Sequence, residues 1–186
     1  MPMQSKQIVR KQLIELAKQF ASTPKKQIVD QQLTKLVYQF IKTKDYQKIG
    51  VFSSLFYEYD TSELINLLLE EDYQIYLPRV DNNEMNFYQI KQLDFSFDLK
   101  YQIKQPLVNE QLLNNHLDLF IVPLVGYNSN QLRLGHGKGY YDRFFNNLKY
   151  SNYKISVAYD FMLNNQFQAQ DHDVKIDKIF CVTNLE

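Results

Sequence analysis

The stretch LDLFIVP, residues Leu117–Pro123, is the most apolar strand-like segment of the 186-residue chain. Apart from Asp118, its side chains are apolar on both faces of an extended backbone. A continuous apolar run of this length predicts a central parallel strand that is covered on both sides. The run therefore favours a sheet that lies between two layers of helices.

Strand-like and helix-like segments alternate on either side of this run. Apolar spacing predicts helices over residues 5–20, 23–41, 60–71 and 140–148, with shorter helices at 110–115 and 161–166. Strand patterns fall at 48–52, 74–77, 84–90, 154–159 and 178–182. Loops are predicted at 53–60 and 124–139, and a loop with short extended pieces at 94–109. The alternation predicts an α/β fold: one domain over residues 1–186, with a mostly parallel central sheet sandwiched between helices.

Three local signals set the expected ends of these elements. Thr23 as the N-cap and Pro24 at the first helical position are predicted to begin the second helix. Residues Asp60–Glu63 resemble a capping box at the start of the third helix. Pro78 is predicted to stop the strand that begins at residue 74, because proline cannot donate a hydrogen bond.

Composition and charge exclude several classes of protein. The chain is 45% hydrophobic and 23% charged, as in an ordinary soluble globular protein, and its acidic and basic residues balance at 21 each. The lack of a basic excess argues against a nucleic-acid partner. The single cysteine, Cys181, excludes an intrachain disulfide and suits a reducing cytosol. With no signal-peptide pattern and no run of about 18 apolar residues, we expect a cytoplasmic protein without a membrane partner.

The loop that follows the central strand holds the densest chemistry of the chain. Residues 133–143 read RLGHGKGYYDR, and this stretch contains three of the five glycines and two of the four arginines. Glycine lets the backbone approach a ligand and present its N–H groups, while Arg133 and Lys138 supply positive charge. Ligands of α/β sheets bind at the carboxyl ends of strands, near helix N-termini. The stretch therefore predicts a phosphate-binding loop in which Asp142 could hold a Mg²⁺ ion.

Two common nucleotide motifs do not fit this loop. A Walker A motif requires Ser or Thr directly after its lysine, whereas Lys138 is followed by Gly139. A Rossmann fingerprint requires the spacing G-x-G-x-x-G, whereas the spacing here is G-x-G-x-G. Taken alone, the glycines are equally compatible with a simple turn that caps a helix.

The wider pattern resembles the 5-formyltetrahydrofolate cyclo-ligase family, also called 5,10-methenyltetrahydrofolate synthetases. The loop at 133–143 is the most specific part of the resemblance. Further similar segments are Lys6 with Arg10, and residues 52–63, 77–79, 85–87, 103–106, 123–127 and 172–177. The family implies a three-layer α/β/α arrangement that resembles the NagB/RpiA/CoA-transferase-like fold.

The resemblance also implies a reaction that depends on ATP and Mg²⁺. In it, 5-formyltetrahydrofolate is converted to 5,10-methenyltetrahydrofolate, with release of ADP and phosphate. The formyl oxygen is phosphorylated, and N10 of the folate then attacks the activated carbon. Alignment and charge stabilisation would be the main work of the protein.

Matching positions imply roles for individual residues. The ATP-binding residues would be Lys6, Arg10, Arg133, Leu134, Gly135, His136, Gly137, Lys138, Gly139, Tyr140 and Tyr141. The folate-binding residues would be Ser53, Leu55, Glu58 and Tyr140. The Mg²⁺ ligands would be Asp142 and Asp173. The catalytic residues would be Lys138, Tyr140 and Asp142.

Some positions depart from the family pattern and leave other functions open. His136 stands where some relatives have arginine, and Lys18 lies where an arginine is often seen, so the roles of both are open. One alternative function is a folate- or nucleotide-binding protein without turnover. Another is a different small-molecule phosphotransferase that shares the loop. We expect a monomer, with a homodimer as the alternative.

Overall fold

The computed structural model describes residues 4–93, 95–98, 103–106, 112–168, 170 and 173–182. The helices are α1 (Lys6–Ala21), α2 (Lys25–Lys42), α3 (Ser62–Glu70) and α4 (Tyr140–Asn147). The first five strands are β1 (Lys48–Val51), β2 (Gln74–Asp81), β3 (Glu84–Ile90), β4 (Phe95–Asp98) and β5 (Ile103–Pro106). The later strands are β6 (Leu119–Ile121), β7 (Gly126–Tyr127), β8 (Arg133–Leu134), β9 (Tyr153–Ala158) and β10 (Lys178–Cys181).

Six strands form one sheet in the order β10-β9-β6-β1-β2-β3. All neighbours are parallel except β2 and β3, which form an antiparallel pair at one edge. β4 pairs with β5, and β7 with β8, in separate two-stranded ribbons. The prediction of an α/β fold with a mostly parallel central sheet is confirmed.

The apolar run Leu117–Pro123 lies in the middle of this sheet. β6 pairs on one side with β1 and on the other with β9, and its three residues are buried. Leu119 and Ile121 pack in the core that also holds the buried faces of α2 and α3. Phe120 faces the opposite side and packs against Phe144 and Phe145 of α4. Helices therefore cover both faces of β6, as a run without polar alternation requires.

Three predicted element boundaries are wrong. Pro78 does not end β2, which continues to Asp81. The pairing of β2 with β1 ends at Tyr76, so the N–H that Pro78 lacks is not needed on that side. The second helix begins at Lys25, with Pro24 rather than Thr23 as its N-cap. The short helix predicted at 161–166 is a 3₁₀ turn at Asp160–Met162.

The capping box and the long loop are also built differently from the prediction. Thr61 is the N-cap of α3, yet its hydroxyl donates to the carbonyl of Phe52 and does not cap the helix. Asp60 accepts from the N–H of Ser62 at 2.9 Å. The ribbon of β7 and β8 lies inside the predicted loop at 124–139. The helix predicted at 110–115 lies partly outside the described residues. His172, the first residue of the similar segment 172–177, also lies outside them.

Candidate active site

A cavity of about 430 Å³ opens at the carboxyl ends of the central strands. Phe52 and Ser53, which follow β1, and Pro123, which follows β6, line it. The cavity brings together all the residues that the sequence predicts for the site: Lys6, Arg10, Ser53, Leu55, Glu58, Arg133, Leu134, Gly135, His136, Gly137, Lys138, Gly139, Tyr140, Tyr141, Asp142 and Asp173. Segments that are far apart in the sequence therefore meet at the place where α/β sheets bind ligands.

Helix α1 places two basic residues on the cavity. The Ser5 hydroxyl accepts from the N–H of Ile8 and so caps the helix, which begins at Lys6. Lys6 and Arg10 lie one turn apart and share a face. Lys6 Nζ lies 2.5 Å from Asp173 Oδ2, and Arg10 Nε donates to the carbonyl of Gly135 at 2.7 Å. These two contacts hold α1 against the glycine loop and against the segment that carries Asp173.

The guanidinium of Arg10 is partly withdrawn from water. Partial burial lowers the pKa of the Arg10 guanidinium, because desolvation penalises the charged form. Among the described residues, no carboxylate forms an ion pair with it. A partly desolvated guanidinium in this state favours binding of an anion.

Arg133 lies beneath the loop and is only 6% exposed. Its guanidinium donates to Asp142 Oδ1 at 2.8 Å and to the carbonyl of Pro123 at 3.2 Å, and lies 5.5 Å from the ring centre of Tyr141. Its buried Nε atom has no acceptor in the described part of the chain. An unsatisfied buried donor of this kind costs about 1–3 kcal/mol.

The glycines have conformations and neighbours that few other residues would tolerate. Gly137 and Gly139 have φ angles of 90° and 68°. A Cβ atom on Gly137 would lie 3.1 Å from Arg10 Cζ, and one on Gly135 would lie 2.6 Å from a nitrogen of Arg133. Arg10 and Arg133 can therefore approach the loop this closely only because residues 137 and 135 are glycines.

The loop also leads directly into a helix N-terminus. Gly139 is the N-cap of α4 and offers no side chain to bind the first N–H groups of the helix. The side chain of Lys138 is exposed, and it makes no hydrogen bond or ion pair with the residues that the structure describes. A free cation beside uncapped N–H groups forms an arrangement suited to phosphate.

The opposite end of the cavity is built around a buried carboxylate. Glu58 is 6% exposed, and its Oε2 atom accepts from the N–H of Leu55 at 2.7 Å. Its Oε1 atom lies 2.7 Å from Nε2 of His136. The nearby lining is apolar: Phe52, Leu55, Pro78, Val80 and Met85. A carboxylate set in an apolar wall suits a planar heterocycle that carries N–H groups.

Two tyrosines near this carboxylate are held neutral. Burial and, to a smaller extent, the charge of Glu58 together raise the pKa of Tyr57 to about 12. Burial also raises the pKa of Tyr141 well above its usual range, against a smaller opposing effect of Arg133. At neutral pH both phenols therefore keep their protons and can act as hydrogen-bond donors.

Asp142 and Asp173 both reach the cavity, and each already contacts a cation. Asp142 uses Oδ1 for Arg133, and Asp173 uses Oδ2 for Lys6 and for the N–H of Gln170. The other oxygen of each carboxylate makes no hydrogen bond to a described residue. The described chain contains no group of three or more His, Cys, Asp or Glu side chains that could enclose a metal. This donor set fits Mg²⁺, which commonly takes one or two carboxylates together with substrate phosphates and water.

Sequence reasoning missed part of the cavity lining. The missed residues are Phe52, Pro78, Val80, Met85, Pro123 and Gln170. Val80 and Met85 are directly paired across β2 and β3, so both point to one face. The alternation of residues 84–90 predicts that β3 has two different faces, but it does not say which face meets the cavity.

Known proteins of one family resemble this chain. The model of the 5-formyltetrahydrofolate cyclo-ligase family matches residues 2–182. The 5-formyltetrahydrofolate cyclo-ligase of Mycoplasma pneumoniae is 46% identical over 65 residues, which is 35% of this chain and 39% of that protein. The mouse protein of the same name is 25% identical over 146 residues, which is 72% of each chain.

A solved structure resembles the fold along almost its whole length. The 5,10-methenyltetrahydrofolate synthetase of Mycoplasma pneumoniae superposes with a TM-score of 0.74 and 26% identity, over 95% of this chain and 98% of that chain. The family match covers every described residue, including α1, the glycine loop and Asp173. The chain therefore belongs to the 5-formyltetrahydrofolate cyclo-ligase family.

Proposed function

We propose that this protein converts 5-formyltetrahydrofolate to 5,10-methenyltetrahydrofolate in the cytoplasm, with consumption of ATP and release of ADP and phosphate. The observation that carries the proposal is the division of one cavity into two unlike ends. One end presents Arg10, Arg133 and Lys138 around a glycine loop. The other end presents Glu58 in an apolar wall. Family membership supports this pairing of a polyanion with a folate.

At the basic end, the chain would bind and orient the ATP phosphates. Lys138 and the N–H groups at the start of α4 would meet phosphate oxygens. The close approach of Gly137 to Arg10 would let backbone and guanidinium act on the same phosphate. These fixed charges stabilise the negative charge that spreads over a transferring phosphoryl group.

At the other end, Glu58 would accept hydrogen bonds from the folate ring, with Ser53 and Leu55 beside it. Tyr140 begins α4 between the two ends, so it would contact both substrates. This placement would hold the formyl oxygen against the γ-phosphate. Such alignment is the main contribution of an enzyme to a reaction that forms no covalent enzyme intermediate.

The bond changes balance within the two substrates. The formyl oxygen would form a bond to the γ-phosphorus as the bond to the ADP oxygen breaks. N10 would then bond to the formyl carbon, lose its proton, and expel the same oxygen as phosphate. Asp142 and Asp173 would hold the Mg²⁺ ion, which would supply charge neutralisation for the phosphates.

An absorbance assay tests the proposal directly. Purified protein mixed with Mg²⁺, ATP and 5-formyltetrahydrofolate should generate the near-UV absorbance of the methenyl product only when ATP is present. Lys138→Ala should lower the rate at least tenfold, because one charge-assisted phosphate contact is lost, while circular dichroism remains unchanged. Binding without turnover would instead indicate a binding protein, and ADP release without folate would indicate another phosphotransferase. Either result would contradict the proposal.

A further inference from the structure

One side-chain contact joins the glycine loop to the loop at residues 53–60, which carries Glu58. His136 lies between Gly135 and Gly137, and its Nε2 atom is 2.7 Å from Oε1 of Glu58. The two residues are separated by 78 positions in the sequence. The His136 side chain is 31% exposed and that of Glu58 7% exposed, so the contact lies at the inner wall of the cavity. A residue that the resemblance places with ATP therefore touches the carboxylate assigned to the folate.

The burial of Glu58 explains why this contact matters. A carboxylate withdrawn from water is stable only when donors satisfy it. The N–H of Leu55 serves Oε2, and His136 serves Oε1. Without His136, only the Leu55 N–H would hold the Glu58 carboxylate in its orientation, because no other described residue donates a hydrogen bond to it. The group could then rotate about its last torsion.

The same geometry shows that His136 does not consume the binding capacity of Glu58. A carboxylate offers about four lone-pair sites, and two are used by Leu55 and His136. Two sites remain for a pair of parallel N–H donors, as a folate ring would present. Since a carboxylate only accepts, Nε2 must carry a proton, and both the neutral and the protonated imidazole can supply it.

We propose that His136 is a positioning residue that aims the Glu58 carboxylate at the folate, and that it is not a phosphate ligand. The proposal rests on the proposed function of the cavity. Its consequence is a separation of effects: loss of the imidazole weakens folate binding, whereas ATP binding depends on Lys138, Arg10 and Arg133. The glycine loop then serves both substrates, with alternate residues turned to different ends.

The test measures binding of each substrate separately by titration calorimetry, together with KM and kcat. His136→Ala should weaken 5-formyltetrahydrofolate binding about tenfold, as expected for loss of a hydrogen bond to a charged group, and change ATP binding less than twofold. His136→Gln should restore folate binding to within about threefold, because its amide can donate at a similar reach. Lys138→Ala is the matched control on the same loop: it should weaken ATP binding and leave folate binding unchanged.

A double-mutant cycle gives the decisive comparison. In a Glu58→Gln background, His136→Ala should cost less than threefold in folate affinity, because its partner is already altered. An equal tenfold loss in both backgrounds would overturn the proposal, and so would weaker ATP binding with normal folate binding. If His136→Ala does not fold, His136→Asn, which is too short to reach Glu58, takes its place with the same expectation. If the wild-type protein neither binds nor converts 5-formyltetrahydrofolate, the proposed function itself fails.

Discussion

Arg133 shows at the scale of one residue how charge and geometry act together in the cavity. Its guanidinium contacts Asp142 and Pro123 at once, and its buried Nε has no acceptor among the described residues. Lysine keeps the charge but has no planar fork. We therefore expect Arg133→Lys to raise KM for ATP about tenfold or more and to lower the free energy of unfolding by about 1–3 kcal/mol. Steady-state kinetics and urea denaturation measure the two effects, and unchanged values of both would contradict this role.

Asp30 provides a pH-dependent prediction away from the cavity. It accepts from the Tyr159 hydroxyl at 2.8 Å and pairs with Lys26 at 2.5 Å. Burial raises the pKa of this carboxyl from its ordinary value of 3.8, although Lys26 and Tyr159 oppose the rise. The folded state therefore holds its proton more tightly than the unfolded state does. The stability that this proton contributes is present below the unfolded pKa and is lost as pH rises through the folded pKa.

Asp30→Asn isolates this effect, because asparagine keeps an acceptor for Tyr159 and does not titrate. The free energy of unfolding of the wild type, relative to that of Asp30→Asn, should fall as pH rises from about 4, and should then level off. Urea denaturation of both proteins at pH values between 4 and 7 measures the difference. A difference that rises with pH would contradict the direction of the pKa shift.

Single residues also show where sequence reasoning stops. Lys6 and Arg10 are recognisable as a basic pair on one helix face, and the structure places both on the cavity. Their contacts with Asp173 and Gly135 lie 167 and 125 positions away, and helical spacing contains no information on such partners. The contact of Glu58 with His136 was unforeseen for the same reason. The ligand roles given to these residues stay predictions.

At the scale of the element, Gly139 joins the loop to α4. Its φ of 68° is a left-handed conformation, which asparagine tolerates and valine does not. A Cβ atom would meet only the end of the flexible Arg143 side chain, so conformation decides the cost. Gly139→Val should destabilise the protein by about 1–3 kcal/mol and weaken ATP binding, whereas Gly139→Asn should cost less than about 1 kcal/mol. Thermal denaturation of the pair measures this, and equal costs would argue against backbone strain.

Elements with a regular or continuous apolar pattern were the easiest to predict. The exact ends of elements were the hardest to predict. α1, β6 and β9 lie within one or two residues of the predicted bounds, because burial on a defined face fixes their pattern. The predicted end of β2 was wrong. Proline breaks a strand only where the neighbouring strand needs a backbone N–H, and this depends on where that neighbouring strand stops. The hydroxyl of Thr61 likewise found the carbonyl of Phe52, a tertiary partner that a local capping pattern cannot include.

At the scale of the whole molecule, the sheet explains where the cavity lies. Parallel strands place all their carboxyl ends at one edge, so the turns after β1 and β6 must meet there. This much follows from the alternation of strands and helices in the sequence. The position of α1 across that edge does not, because it depends on side-chain contacts with the glycine loop and Asp173. In the described part of the chain, no helix is both long and apolar enough to span a membrane.

Because the cavity joins distant segments, its ligands should stabilise the entire fold. A ligand that binds only the folded state at 100 times its Kd adds about 2.7 kcal/mol to the free energy of unfolding. For a chain of this length, that corresponds to a rise in Tm of roughly 5–10 °C. ATP with Mg²⁺ and 5-formyltetrahydrofolate should each produce such a rise in a thermal scan. At the same ligand concentrations, Lys138→Ala should reduce only the rise in Tm that ATP with Mg²⁺ produces. Glu58→Gln should reduce only the rise in Tm that 5-formyltetrahydrofolate produces. If neither substitution changes its rise, the ligands bind outside this cavity, whereas a selective loss assigns each end to its substrate.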